Sequence, residues 1–290
     1  MKVDWLGRDF LLYAHQGGAL EGPASTLFAI EQAIAHGANA IELDVHCSKD
    51  DILFVSHDPV VDTTTDGKGA IADLDSAYIA QLDNAYYFIP EKGAVKESDD
   101  GHTQEDYPYR GRVADDSRFG LARLEEVLAS FPDTVYNFDI KQTAPVVKPY
   151  EALLAKVLRQ YQRTENTIVA SFHDRAIETF SEFAPEFATA PGAGELTAYG
   201  QAFFTKRILP ESIRRHVALQ IPFKVGDLKV ASAEFVHAAH ELGLAVHVWT
   251  INDTEEADEA INAGVDAIMT DRPKFLVSHS GVGSLLHKTY

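Results

Sequence analysis

The stretch Ala40-Ile41-Glu42-Leu43-Asp44-Val45, followed by Ile52-Leu53-Phe54-Val55-Ser56-His57-Asp58, decides how this chain is read. Alternate residues of a strand share a face, so Glu42 and Asp44 project together while Ile41, Leu43 and Val45 pack on the other side. The polar turn between the segments, centred on Asp50-Asp51, is too short for a helical crossover and predicts an antiparallel hairpin. Pairing Lys49 with Ile52 and counting outward sets His57 opposite Asp44. An earlier apolar strand, Leu11-Leu12-Tyr13-Ala14-His15, ends in a second histidine. Carboxylates buried in such a setting require a cation or protons, and paired imidazoles can act as acid and base near neutral pH.

Outward from this hairpin, apolar strands alternate with helical patterns along almost the whole chain. Strands are expected at 10–15, 40–46, 134–140, 167–172, 186–191, 217–222, 244–250 and 266–270. Helical spacing runs from Leu27 to His36 and stops at Gly37; Leu121 to Ser130 and Ala231 to Leu242 behave alike, stopping before Pro132 and at Gly243. Eight such strands suit an α/β fold of the closed (β/α)8 TIM-barrel type, about 250 residues long, with strand 52–57 added above its mouth. The chain of 290 residues, 46% hydrophobic, is expected to form one barrel domain over 1–290 with an insertion at about 66–118. That insertion, rich in Gly, Asp, Tyr and Pro and without sustained period, is placed at the C-terminal face. Its Tyr86-Tyr87-Phe88, Tyr107 and Tyr109 either line a substrate entrance or, the favoured reading, form the insertion's own small core.

A formal charge of -19 and a pI near 4.9 argue against a nucleic-acid partner and against stable association with an anionic membrane. A single cysteine, Cys47, allows neither an intrachain disulfide nor a thiolate cage, and is read as a small, semi-buried side chain. With no apolar leader and no apolar run long enough to span a bilayer, a cytoplasmic location is expected.

Barrel active sites gather at the C-terminal ends of strands. His15 ends the first strand, Glu42 and Asp44 lie towards the end of the second, and Asp139 and Lys141 close the third. Three carboxylates form a hard-cation site suited to one Mg²⁺ or Ca²⁺; with no His-x-x-x-His or cysteine pattern, zinc is disfavoured. His237 and His240, three apart on an outer helix, are given no role.

The same residues resemble the glycerophosphodiester phosphodiesterase family, which is built on a (β/α)8 barrel. The likeness rests on an ordered set: His15-Gln16-Gly17-Gly18, Gly37 to Val45, Ser56-His57-Asp58-Pro59, Thr63 to Gly69, Leu124 to Leu128, Trp249-Thr250-Ile251-Asn252, and Gly264 to Pro273. It implies that His15 and His57 are an acid/base pair, that Glu42, Asp44 and Asp139 hold the metal, that Lys141 contacts phosphate and that Trp249 packs beside the substrate. Three departures stand out: Gln16 where the family usually has arginine, Ala24 where it has glutamate, and Asp139 where glutamate is usual. Without the arginine, either substrate affinity is lower or Lys141 and an insertion residue such as Arg110, Arg112 or Arg118 supply the contact; Glu21 filling some of the space left at position 24 is the less favoured reading.

The resemblance implies metal-dependent hydrolysis of a small glycerophosphodiester to glycerol phosphate and an alcohol. A lysophospholipase D activity would require an apolar groove formed by the insertion. A catalytically weak phosphodiester-binding barrel would explain the changes at positions 16 and 24, but not the retention of two histidines.

Overall fold

The computed structural model describes residues 3–96 and 101–286. Its strands in chain order are β1 (Leu11–His15), β2 (Ala40–Cys47), β3 (Leu53–Val55), β4 (Phe88–Ile89), β5 (Gly93–Ala94), β6 (Val135–Ile140), β7 (Thr167–Ala170), β8 (Ala188–Thr189), β9 (Ala218–Pro222), β10 (Lys224–Val225), β11 (Leu228–Lys229), β12 (Ala245–Trp249) and β13 (Ala267–Thr270). Eight of them, in the spatial order β8-β7-β6-β2-β1-β13-β12-β9, pair in parallel into a nearly closed barrel. The remaining gap between β8 and β9 is bridged by the Val217 amide donating to the Thr189 carbonyl at 3.0 Å. All eight expected strands are present, although β8 is shorter than the stretch expected at 186–191.

Every residue of β2 is buried. Its apolar residues Ile41, Leu43 and Val45 pack outward with helices Leu27–Ala35, Leu124–Ser130 and Glu151–Gln160, while Glu42 and Asp44 point into the barrel. The helix Leu27–Ala35 starts where the Thr26 hydroxyl accepts the Ala29 amide at 3.1 Å, and its chain turns out at Gly37, φ 105°. The helix expected from Leu121 begins only at Leu124, because Arg123 bridges to Phe54 and Ala122 accepts the Val55 amide as added extended structure. Helix Ala233–Glu241 starts at its Ser232 cap, two residues later than expected.

β3 pairs antiparallel with β2 as expected, in a different register. Val45 faces Val55, His46 faces Phe54 and Cys47 faces Leu53, so Ser56, not His57, lies opposite Asp44. The turn is the cause: Ser48, not Lys49, closes on Ile52, leaving a three-residue loop with Asp51 left-handed at φ 67°. His57 lies two residues beyond the end of β3.

The segment 66–118 carries a short helix (Ser76–Ile79), the β4–β5 hairpin and several 3₁₀ turns. Tyr109 stacks with Phe88 and Phe119, and Phe28 of helix Leu27–Ala35 packs on Tyr109 and Phe119, whereas the Arg110 guanidinium lies over Tyr86 and Tyr107. The aromatics therefore pack within the segment and against the first barrel helix and do not line a substrate entrance.

Candidate active site

Strand register sets the floor of the site. Tyr13 and His15 alternate into the barrel from β1, Glu42 and Asp44 from β2, and Asn137 and Asp139 from β6. His15 is paired with Glu42, Glu42 with Asn137 and Asp44 with Asp139, so these side chains form adjoining rows at the C-terminal mouth. Beneath them Gln220 donates to Asn137 at 2.8 Å and Tyr13 packs on His247 at 5.5 Å. Burial pushes His247 down to about 3, making it a neutral core residue.

His15 is clamped from the far end of the chain. Its Nδ1 lies 2.6 Å from Asp271 Oδ1, and Nε2 lies 3.7 Å from Glu42 Oε2. Asp271 is itself oriented by Asn252, whose Nδ2 donates to Asp271 Oδ2 at 2.8 Å while its Oδ1 accepts the Asp271 amide at 2.8 Å. Burial alone would lower the His15 value; Glu42 and the hydrogen bond to Asp271 outweigh it, raising the imidazole to about 9. Asp271 is correspondingly lowered, its burial outweighed by that hydrogen bond and the charge of His15. Gly18, at φ 96°, allows the loop after β1 to meet this corner, since a Cβ there would stand 2.9 Å from Pro273 Cγ. Asp271 and Asn252 lie within the sequence stretches that carried the resemblance, but only contact across the barrel shows what they hold.

Lys141 Nζ lies 3.2 Å from Asp44 Oδ1 and 3.8 Å from Asp139 Oδ2. Burial and then the Asp44 charge raise Glu42 to about 8; the same two causes, in that order, raise Asp139 to about 7. Asp44 Oδ2 and Asp139 Oδ1 are buried and have no hydrogen-bond partner. Among the described residues, no three His, Cys, Asp or Glu side chains are gathered closely enough to cage an ion as they stand. The donor chemistry nevertheless fits a hard divalent cation, because the orphaned atoms are carboxylate oxygens. Asp139 therefore reaches the same rows as Glu42 and Asp44 despite its short side chain.

Two cavities meet at the histidines. One, of about 460 Å³, is lined by all seven residues singled out in the sequence: His15, Glu42, Asp44, His57, Asp139, Lys141 and Trp249. Its outer wall is apolar, with Phe172, Pro191, Leu196 and Pro222, and Trp249 meets Phe172 edge-on at 5.9 Å. No described residue of the segment 66–118 lines it; the apolar wall comes from the loops after β7 and β8, from helix Ala193–Phe204 and from the end of β9. The other cavity, of about 430 Å³, lies between the mouth and the insertion; His15 and His57 line it too, with Gln16, Ala24 and Asn84. His57 Nδ1 lies 2.8 Å from Asp58 Oδ1, which leaves Nε2 facing away from that carboxylate.

None of the three proposed substitute arginines lines either cavity. Arg110 is held on Tyr86 and Tyr107, and Arg118 pairs with Glu31 and Asp116. Glu21 does not fill the space at position 24; it accepts the Lys274 and Phe275 amides at 2.8 and 2.9 Å. The cation that the second cavity does recruit is Lys96.

Comparison with known proteins places this geometry. The chain is 28% identical over 276 residues to the glycerophosphodiester phosphodiesterase of Caldanaerobacter subterraneus subsp. tengcongensis, covering 92% of this chain and 96% of that one. It is 24% identical to the rat (Rattus norvegicus) lysophospholipase D GDPD1, covering 90% and 82% respectively. Its fold matches an Oleispira antarctica phosphodiesterase solved in complex with its product sn-glycerol-3-phosphate, with a TM-score of 0.64 at 20% identity, over 97% of this chain and 98% of that one. The sequence profile of the glycerophosphoryl diester phosphodiesterase family matches residues 15–275, and the chain therefore belongs to that family of phosphodiester-cleaving enzymes.

Proposed function

We propose that this enzyme hydrolyses glycerophosphodiesters to glycerol phosphate and an alcohol, with Glu42, Asp44 and Asp139 holding one divalent cation. The observation that carries this reading is the convergence of His15 and His57 on a cavity whose floor holds Lys141 and two buried, unpartnered carboxylate oxygens. A bound Mg²⁺ or Ca²⁺ would supply charge neutralisation for the phosphate and the glycerol hydroxyl. Lys141 adds a fixed positive charge beside the phosphate. His15, raised to about 9, carries a proton at neutral pH and is the acid that protonates the departing alkoxide. His57, held through Nδ1 by Asp58, offers Nε2 as the base.

The nucleophile in this reading is the diester's own 2-hydroxyl, tethered next to phosphorus and favoured over free water by its effective concentration. His57 takes the hydroxyl proton, the new P–O bond closes a five-membered ring, and the alcohol leaves with the His15 proton. Water then opens the cyclic phosphate with the histidines in reversed roles. Glycerol phosphate release with Mg²⁺, with Ca²⁺ and with chelator tests this, alongside a 2-deoxy analogue and the 1,2-cyclic phosphate. The reading requires chelator-sensitive turnover, an inert deoxy analogue and hydrolysis of the cyclic compound; rapid cleavage of the deoxy analogue rules out internal attack.

A second reading is favoured by the apolar wall of Phe172, Pro191, Leu196 and Pro222. An acyl chain on the glycerol would follow that wall outward, as a lysophospholipase D substrate requires. Faster turnover of lysophosphatidyl substrates than of their deacylated counterparts supports it.

A further inference from the structure

The cavity on the insertion side belongs to no step above except departure of the alcohol, and its chemistry is specific. Carboxylates of the proposed metal set line only the other cavity, whereas His15 and His57 line both. A phosphate held between the histidines therefore directs its glycerol arm towards Trp249 and its alcohol arm towards Asn84. We propose that this second cavity is the alcohol-binding subsite and that it selects polyhydroxy alcohols, of the glycerol or inositol kind, over quaternary-ammonium alcohols. The inference rests on the hydrolytic reading given under Proposed function.

Three features point to a polyol. First, beside the small apolar residues Ala19, Ala24 and Ala94 and the side chain of Leu20, the wall carries neutral hydrogen-bonding groups, among them Gln16, Ser56, Thr63, Thr64 and Asn84. Asn84 is 3% exposed and rigidly held, accepting the Thr64 hydroxyl at 2.6 Å and donating to the Ala24 carbonyl at 2.8 Å. One amide N–H of Asn84 and the lone pairs of Thr64 remain, a donor and an acceptor side by side, as neighbouring hydroxyls of a polyol require. Second, among the described residues the carboxylates lining the cavity, Asp58 and Asp271, are each engaged by a histidine Nδ1. The added cation is Lys96, which repels a positively charged headgroup.

Third, no Phe, Tyr or Trp lines the cavity among the described residues. A trimethylammonium group is recognised by aromatic faces or by a free carboxylate, and here the nearby aromatics are consumed by the insertion's own stacking and by Arg110. Ala24, with only a methyl group, leaves the space beside Asn84 open.

The test compares kcat/KM of the full-length enzyme for glycerophosphoinositol, glycerophosphoglycerol and glycerophosphocholine, reading glycerol phosphate as the common product. The polyol diesters should exceed the choline diester by about tenfold or more, the scale of a hydrogen-bonding pocket rejecting a partner that cannot satisfy it. Lys96→Glu, a change at an exposed position, should shift the inositol-to-choline ratio towards choline by about fivefold, in line with charge reversal at a screened site. Thr64→Val should reduce turnover of the inositol diester more than that of the choline diester. A wild-type enzyme that treats all three diesters alike or prefers choline overturns the proposal, as does a ratio unmoved by Lys96→Glu. Failure to release glycerol phosphate from any diester instead defeats the hydrolytic reading itself.

Discussion

Replacing Asp271 with asparagine removes one charge and almost no volume, so it isolates what the clamp on His15 does. Both carboxylate oxygens are used: Oδ1 meets His15 Nδ1 at 2.6 Å and Oδ2 accepts from Asn252 Nδ2 at 2.8 Å. An asparagine has one oxygen, so in either orientation its NH₂ faces a donor. Loss of a charge-assisted bond costs about 1.5–3 kcal/mol and a stranded donor adds about 1–3 kcal/mol. Because His15 and Asp271 remain 21% and 18% exposed, solvent recovers part of this, and about 3–4 kcal/mol is the expected loss. At about 1.4 kcal/mol per power of ten, kcat should fall by about 10²–10³.

The pH profile should change with it. A histidine raised to about 9 is protonated below that value and loses its proton only as pH rises through it, so the acid function of the unsubstituted enzyme persists to alkaline pH. Without Asp271 the imidazole falls below about 9, with Glu42 still holding it up against burial, and the alkaline limb moves down with it. Steady-state rates between pH 5 and 10, with thermal melts to verify folding, measure both effects. A folded variant with unchanged kcat and an unmoved alkaline limb would refute the clamp.

Three further outcomes are expected. Since burial keeps protons on Glu42 up to about 8 and Asp139 up to about 7, metal and proton compete: apparent Mg²⁺ affinity should fall by roughly two to three powers of ten from pH 8 to pH 6. Calorimetry in buffers of different ionisation enthalpy should show proton release at neutral pH, and Glu42→Gln should bind the ion weakly at every pH. Lys141→Ala should raise KM and lower kcat by a combined ~2–4 kcal/mol, the scale of a lost charged contact to the transition state; wild-type kinetics would make Lys141 a bystander. Asp50 accepts hydrogen bonds from Ser76 and Ser48 at the hairpin tip, which lower its value. Its contribution is present above the unfolded carboxylate range and lost as pH falls through the lower folded value. Asp50→Asn should therefore reduce Tm at pH 7 and by progressively less as pH falls below the ordinary carboxylate range, and a difference that does not shrink in acid would locate the effect elsewhere.

Where function depends on alternation along a strand, the sequence was transparent. Glu42, Asp44 and Asp139 reach one mouth because strand period fixes their side, and His15 and Lys141 reach it because strands end there. The hairpin was legible in kind but not in register: a side-chain hydroxyl, Ser48 Oγ, and a left-handed Asp51 moved the pairing by one residue. No local pattern announces such a turn. Asp271 as the partner of His15 was hidden for another reason, since the two lie 256 positions apart and meet only when the barrel closes. The fate of Arg110 and Glu21 was likewise invisible, because a charged residue written near a site does not say which of several neighbours will claim it.

The pairing of β1 with β13 joins the first strand of the barrel to the last. His57 is brought beside β2 by a local hairpin that can form early, whereas the groups that orient His15 arrive only with the C-terminal strand. A chain lacking its last strand can therefore have the floor of the site without the clamp on His15. Recovery of activity during refolding should trail recovery of secondary structure, which makes turnover a direct gauge of whether the two ends of the chain have met.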